Sequence, residues 1–498
     1  MQIRLVIRVV SAVLFVCGLA MLTAVPVAMT KGDGLSVIWG LLGASALTCV
    51  VGAIGAWRGP KATHIRVREG FAIVTFSWLA ATVFGALPFC WVGGMSYVDG
   101  VFETMSGFTT TGASVLTEKG LDGIFALPWG LLYWRSLTHW LGGMGIVVLS
   151  LAILPLLGVG AMELYRSEAP GPTSDQVTPR VAHTARRLWG VYLLLSVAET
   201  LLLWPKMDIL EAWCHTCGTM ATGGFSTRGA SVGAFNSAYV DWVVTLFMFL
   251  AGANFLLHYK ALLGRPQAYI KDEEFRFYGY VSAGAVVVVA LALLLSGIQT
   301  TIGEALRYAA FNVVSIMTTT GFAAGDFDTW PAVTRALLVL LMFVGGCGGS
   351  TGGGIKCSRV AVLLKHAVAQ IKRTFYPRSV VNIRLNDRPV PEAITSRVLG
   401  FFFIYIMLFV VVGLLLCVIE PNLGAPVDGV QYNQLETAFT ASIATLSNIG
   451  PGLGKLGPTQ NYAWMAPWSK LLLVVSMLLG RLEVFTVIVM FHPRFWRR

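Results

Sequence analysis

Charge is scarce in this chain. Only 12% of its 498 residues are Asp, Glu, Lys or Arg, about half the share of an average soluble domain. With 56% hydrophobic residues and a mean hydropathy of +0.71, that scarcity excludes a water-soluble globular protein. Long polar tracts are missing too, so no soluble domain can be assembled between the apolar runs. Cysteine is sparse: eight residues stand singly except for the "CHTC" of Cys214 and Cys217. With no second pair and no histidine directly after it, the motif offers neither a four-cysteine metal site nor haem attachment, and burial is the simpler reading. Zinc-protease, serine-hydrolase and paired-carboxylate arrangements are absent from the apolar runs, so the chain is read as no enzyme. Buried carboxylates that could relay protons are not evident there either.

What the chain has is apolar runs long enough to cross a bilayer. They fall near 8–30, 36–57, 70–92, 125–157, 183–205, 236–262, 278–298, 332–371, 394–419 and 463–491. The first has the basic start of a signal peptide, but its length and lack of a small-residue cleavage site make it a retained helix. The net charge of +11 suggests nucleic acid until the cations are located. Of the 36 Lys and Arg, 26 cluster at Arg4/Arg8, 58–68, 166–187, 260–276, 356–397 and 494–498. By the positive-inside rule these mark the cytoplasmic face, with both termini on it. The basic charge therefore records topology, with anionic lipid as an additional partner and no nucleic acid.

After the first helix pair, eight runs form four pairs, each enclosing an unusual connection. These are "YVDGVFETMSGFTTTGAS" (97–114), "ILEAWCHTCGTMATGGFST" (209–227), "IGEALRYAAFNVVSIMTTTGFAAGD" (302–326) and "YNQLETAFTASIATLSNIGPGLG" (432–454). Each starts polar or acidic, continues for about three helical turns, and ends in hydroxyl or amide residues before a glycine. The glycines, Gly112, Gly223, Gly321 and Gly450, recur about every hundred residues, the period of one repeated supersecondary unit. A stretch too short to span, set between two spans, reads as re-entrant. Irregular backbone at membrane depth is tolerated only inside protein or beside water. A monovalent cation that sheds water needs replacement oxygens, which inward-facing carbonyls supply without a trapping charge. Glycine permits the backbone that such carbonyls require, and a half-helix aims its negative end at the same place. One "TTG" alone is an ordinary interfacial turn; four copies at one topological position point to a pore.

A second irregularity is "GGCGGSTGGGIK" (345–356), with seven glycines in twelve positions. A phosphate-binding loop is excluded because Ile355 separates Gly354 from Lys356 and no strand precedes the run. Each glycine weakens a helix by about 1 kcal/mol relative to alanine, so the run predicts a loop inside the span 332–371. A helix break relieving excess length is the plain reading. Arg481, central in the apolar run of the last span, is expensive in a bilayer and expected to face the interior. Its five donors suit several loop carbonyls. Glu483, two residues on, points away from it on a helix. Asn254, His258 and His139 are candidate pathway residues or ordinary helix-end polar groups.

The segments "MSGFTTTGAS", "MATGGFSTR", "MTTTGFAAGDF", "LSNIGPGLG", "HWLGGMGIVVL" (139–149) and "GRLEVFTV" (480–487) together resemble the Trk/Ktr/HKT superfamily of potassium transporters, and the extra N-terminal helix pair resembles its Trk-type membrane subunit (TrkH/TrkG-like). The resemblance implies an all-α polytopic membrane protein with four tandem helix/re-entrant pore-helix/helix repeats in pseudo-fourfold arrangement and two extra N-terminal transmembrane helices. The expected divisions are a helix pair at 1–57 and pore repeats at 58–160, 161–265, 266–375 and 376–498. It further implies potassium uptake across a bacterial inner membrane, with K+ bound mainly by backbone carbonyls and no organic cofactor in this chain. Carried over, the ion-binding positions are Thr110, Thr111 and Gly112; Ala221, Thr222 and Gly223; Thr319, Thr320 and Gly321; and Asn448, Ile449 and Gly450. The fourth departs from the threonine pattern, which keeps carbonyls but loses hydroxyls. One glycine per strand implies a short filter with modest preference for potassium over sodium.

The gate implied by the family is the glycine run, here Gly345, Gly346, Gly348, Gly349, Ser350, Thr351, Gly352, Gly353 and Gly354, held by Arg481. The run is expected to be the one element that breaks the fourfold symmetry. Implied partners are a second copy in a homodimer and a cytoplasmic nucleotide-binding regulatory subunit of TrkA type, with the basic segment 365–390 as its docking surface. The alternatives are a proton- or sodium-coupled potassium symporter, or a non-conducting membrane sensor or binding subunit.

Overall fold

The computed structural model describes residues 2–57, 67–117, 124–145, 181–378, 382–426 and 431–496. The expected fourth span is therefore described only to Gly145, and the basic stretches at 58–68 and 166–187 lie largely outside the described residues. Among the described residues six helices are long and apolar enough to cross a membrane: Ile3–Thr30, Leu35–Trp57, Arg68–Trp91, Ala185–Lys206, Glu273–Leu295 and Glu392–Ile419. They are apolar all round and keep exposed faces, as at Leu193, Leu194, Leu201, Val287, Leu291, Phe403 and Leu414. A helix apolar on every side has a bilayer for its outer solvent.

Four shorter helices, Tyr97–Phe108, Ile209–Met220, Ile302–Met317 and Gln434–Leu446, occupy the centre. At 1.5 Å per residue none reaches the ~30 Å hydrocarbon thickness. Each starts from a side-chain cap: Ser96 accepts from Asp99 N–H, Asp208 from Leu210, Thr301 from Glu304, and Asn433 from Leu435 and Glu436. These caps satisfy donors that a helix start leaves open. Their last turns are buried, as at Phe102 to Phe108 and Ala309 to Met317.

The N-terminal pair packs closely. A side chain at Gly52 would bring its Cβ to 2.5 Å from Phe15 N, and Ser45 Oγ donates to Gly18 O at 2.7 Å. Small residues permit this approach where lipid offers no hydrophobic drive. Asp33 fastens the pair to the body by accepting from Trp129 N (3.2 Å) and Gly130 N (2.8 Å), the free donors at the next helix start.

Among the described residues three spans are broken. The run 332–371 divides into Ala332–Met342 and Cys357–Phe375 around the glycine run, as expected. The glycine run is not the sole interruption, however. The span 236–262 bends by 100° between Ala238–Ala251 and Phe255–Leu262, and 463–491 bends by 110° between Pro467–Arg481 and Phe485–Phe491. Arg481 thus ends a helix rather than standing mid-span. Glu483 (φ 55°) and Val484 (φ 54°) make that second bend, and nothing in their side chains favours positive φ. A hairpin of Arg384–Leu385 with Arg388–Pro389 is the sole strand pair among the described residues.

Candidate functional site

Each short helix ends in the same closure. Thr110 N bonds Gly107 O at 3.0 Å and Thr111 N bonds Ser106 O at 2.8 Å, and equivalent pairs recur at Thr222/Gly223, Thr319/Thr320 and Asn448/Ile449. This pair of bonds turns on a left-handed residue, usually glycine. Here the left-handed residues are Thr110 (φ 52°), Thr222 (53°), Thr319 (61°) and Asn448 (56°). A β-branched residue there is strained, by roughly 1–3 kcal/mol, and such strain gathers at functional sites.

The closures set the register among the four turns and correct one assignment. A glycine of positive φ follows each strained residue after one intervening position: Gly112 (82°), Gly224 (79°), Gly321 (79°) and Gly450 (99°). The second turn is therefore Thr222–Gly223–Gly224, one residue later than the Ala221–Thr222–Gly223 carried over from the family resemblance. Ala221 instead caps the helix, as Thr109, Thr318 and Ser447 do. Two adjacent glycines made the sequence ambiguous, and the hydrogen bonds decide between them.

The four turns interlock in cyclic order. A side chain on Gly112 would run into the carbonyl oxygen of Gly223, one on Gly224 into that of Thr320, and one on Gly321 into that of Ile449. A Cβ on Gly450 would lie 2.5 Å from the carbonyl oxygen of Thr111, closing the ring. Glycine is required at these positions by close backbone approach as well as by φ. Hydroxyl pairs brace two turns, Thr109 with Thr111 at 2.8 Å and Thr318 with Thr320 at 2.7 Å. In the fourth, Asn448 Nδ2 donates to Thr111 Oγ1 (3.0 Å) and Met477 O (2.9 Å).

Sequence reasoning missed the ion pairs behind the turns. Glu103, fully buried, binds Arg135 Nε (2.6 Å), Ser114 Oγ (3.0 Å) and Val115 N (3.0 Å), while Arg135 Nη1 donates to Ser226 O (2.8 Å). Glu211 likewise holds Arg228 Nε (2.7 Å) and Thr227 Oγ1 (3.0 Å). An acidic residue in the first turn of its short helix was the available signal for Glu211, whereas Glu103 lies mid-helix and the first-turn acid there is Asp99. Cys214 and Cys217 are buried free thiols in the second short helix.

The glycine run lies against the helix-end side of the ring. It leaves and rejoins its span at a bridge between Val344 and Ile355. Gly353 N donates to Thr319 Oγ1 at 2.6 Å, and Thr351 Oγ1 is within hydrogen-bond reach of Met220 O (3.0 Å) and Ala251 O (3.2 Å). A side chain on Gly353 would strike Ser447 O, and one on Gly352 would reach 3.0 Å from Thr318 O. The buried stretch 351–353 therefore touches the ends of the second, third and fourth short helices. Arg481 reaches the loop: Nη1 donates to Thr351 O (2.7 Å), and Nη2 to Gly142 O (2.6 Å) and Gly143 O (3.1 Å). Glu483 pairs with Arg359, just beyond the loop.

Other holders were not foreseen. Glu274 Oε1 accepts from Gly348 N (2.7 Å) and Ser358 N (2.8 Å), Lys356 Nζ bonds Gly352 O, and Gly252 O accepts from Cys347 N (2.8 Å). The loop fills the bend of the neighbouring span, where Asn254 caps the helix Phe255–Leu262. His258 is engaged by Tyr269 Oη and Leu250 O, and His139 sits behind the second turn. Neither histidine stands in the ring.

The sequence profile of TrkH, described as a cation transport protein, matches residues 41–498. The Trk system potassium uptake protein TrkH of Halomonas elongata is 39% identical over 505 aligned positions covering all of both chains. Its namesake in Salmonella typhimurium is 42% identical over 453 positions, 90% of each chain. The crystal structure of the potassium transporter TrkH from Vibrio parahaemolyticus superposes with a TM-score of 0.86 at 36% identity, again over the whole of both chains. With its matched length, its apolar helices and its broken spans, this multi-pass membrane protein belongs to the TrkH family of cation transport proteins.

Proposed function

We propose that the chain is a potassium uptake protein of a bacterial inner membrane, conducting K+ through a channel-like pore whose filter is the ring of four turns. The observation that carries this reading is the cyclic interlock of Gly112, Gly224, Gly321 and Gly450 with the carbonyls of Gly223, Thr320, Ile449 and Thr111. Alternating positive and negative φ lets consecutive peptide groups face one side, and four carbonyl sets around an axis can replace a cation's hydration shell. The short helices add their negative C-terminal ends. The ion-binding set is Thr110, Thr111, Gly112, Thr222, Gly223, Gly224, Thr319, Thr320, Gly321, Asn448, Ile449 and Gly450, with Ala221 at its edge. The names of the relatives supply the ion.

In this reading Gly345 to Gly354 form the gate and Arg481 is its latch. The N-terminal pair and four pore repeats divide the chain as the sequence suggests, with both termini cytoplasmic. Uptake is driven by the membrane potential, about 2.3 kcal/mol per charge per 100 mV. The protein works as a homodimer on a TrkA-type nucleotide-binding partner that docks at 365–390. That segment carries a helix end and hairpin tethered to Glu273 through Asn386 and Lys365.

A proton-coupled symporter has one observation in its favour: Glu199, fully buried in the helix Val181–Leu203. Flux of K+, Rb+ and Na+ into liposomes carrying the purified protein tests the proposal. K+ and Rb+ are expected to enter ahead of Na+, with a reversal potential that follows the K+ gradient at every pH. A reversal potential that moves with the pH gradient would select the symporter, and absence of flux with or without the partner would leave only the sensor reading.

A further inference from the structure

We infer that His139 is a specificity-determining positioning residue of the filter: a buried imidazole that braces the second turn from behind and dictates the glycine at position 223. The inference rests on the filter reading above. His139 belongs to the helix Trp129–Gly143 and is wholly buried. Its Nδ1 lies 2.8 Å from Gly107 O, and its Nε2 accepts from Phe225 N at 3.1 Å. A carbonyl can only accept and a backbone N–H can only donate. The ring is therefore the neutral tautomer with its proton on Nδ1. One side chain thus ties the first short helix to the strand leaving the second turn.

The ring also occupies the space in which a side chain at position 223 would stand. A Cβ there would lie 2.5 Å from Cγ of His139, 2.6 Å from Nδ1 and 2.7 Å from Cδ2. At the equivalent positions the other turns carry Thr111, Thr320 and Ile449, and the two threonines are tied by hydroxyl pairs. Only the second turn lacks a side chain at this middle position. Its brace arrives from another unit. Phe225 completes the assembly, with its ring 4.0 Å from that of His139 and Arg135 Cζ 3.6 Å from its centroid. Removing the imidazole opens a void behind Gly223 and strands the Phe225 N–H, while Gly107 O is left with the Thr110 N–H alone. The Gly223 carbonyl, one of the four middle carbonyls, then loses its backing. The expected defect is lost discrimination, with ion flux retained.

A double-mutant cycle tests this. Wild type, His139→Ala, Gly223→Ala and the double variant are reconstituted in liposomes, and the K+/Na+ permeability ratio is read from reversal potentials. Each single change is expected to lower the ratio about tenfold or more, whereas the double recovers most of the loss because the alanine methyl enters the space the ring vacated. His139→Gln, which keeps a donor and an acceptor, should retain more selectivity than His139→Leu, which keeps only bulk. Gly284→Ala, where a Cβ meets nothing, should match wild type. If His139→Ala is not recovered as monodisperse protein, Gly223→Ala and the Gln/Leu pair carry the same reading. Additive losses, or single variants as selective as wild type, overturn the inference while the filter reading stands. Wild-type protein that conducts without discrimination overturns the filter reading itself, and this inference with it.

Discussion

Threonine at Thr110, Thr222 and Thr319 is a strained choice, since glycine in the same left-handed position would relieve about 1–2 kcal/mol at each. The hydroxyls give that strain a use. Thr319 Oγ1 receives Gly353 N–H, and Thr222 Oγ1 lies 3.3 Å from Thr351 Oγ1, so two strained residues are also contacts to the loop. Register matters at this scale. Gly224→Ala would set a methyl against Thr320 O at a positive φ; K+/Na+ selectivity in liposomes is expected to collapse, and unchanged selectivity would count against the ring. The spacing-based choice, Gly223, strikes His139 instead. Behind the turns, Glu103→Ala leaves the buried Arg135 without its carboxylate, which costs about 3 kcal/mol or more. A drop of several degrees in the thermal midpoint of purified protein would register it.

The glycine run and the bends beside it form one assembly at the level of elements. Seven glycines made the loop legible, because no helix survives such a run. The bend at Leu482 to Val484 was not legible. It contains neither glycine nor proline, and the left-handed Glu483 and Val484 exist because Arg481 is drawn to the loop and Glu483 to Arg359. The asymmetry expected of the glycine run is shared with these bends, and the distinctive property of the run is its contact with three short helices. If the loop is the gate, Arg481→Ala removes a charged donor from Thr351 O, an interaction worth about 1.5–3 kcal/mol, and K+ flux should rise several-fold. Glu274→Ala, which frees Gly348 N and Ser358 N, should act in the same direction. Lower flux from normally expressed variants would make the loop a support of the filter.

Across the whole molecule, polar links fasten the N-terminal pair to the rest of the chain. Lys31 reaches Asp208 at 2.8 Å, and Asp33 caps the helix that starts at Trp129. The Lys31 ammonium and the Leu210 N–H hold the Asp208 carboxyl below its ordinary value. A depressed carboxyl stabilises the fold above the unfolded Asp value of about 3.9, and that contribution fades as the pH falls through the lowered value. Asp208→Asn should therefore flatten the acid limb of a thermal-midpoint profile and lower the midpoint slightly at neutral pH. An acid limb identical to wild type would place acid sensitivity elsewhere.

The bilayer setting, the four helix-turn units and the loop can be read along the chain without coordinates. These are consequences of composition, span length and backbone freedom, which are local properties. Which glycine of Gly223 and Gly224 belongs in the ring, where Arg481 ends its helix, and what His139, Glu274 and Glu103 hold all depend on the folded chain. Each depends on groups brought together from distant parts of the chain, as Gly450 meets Thr111. A φ value or a carbonyl's direction is set by what the backbone meets in space, and one chain read in order contains no distances between its remote segments.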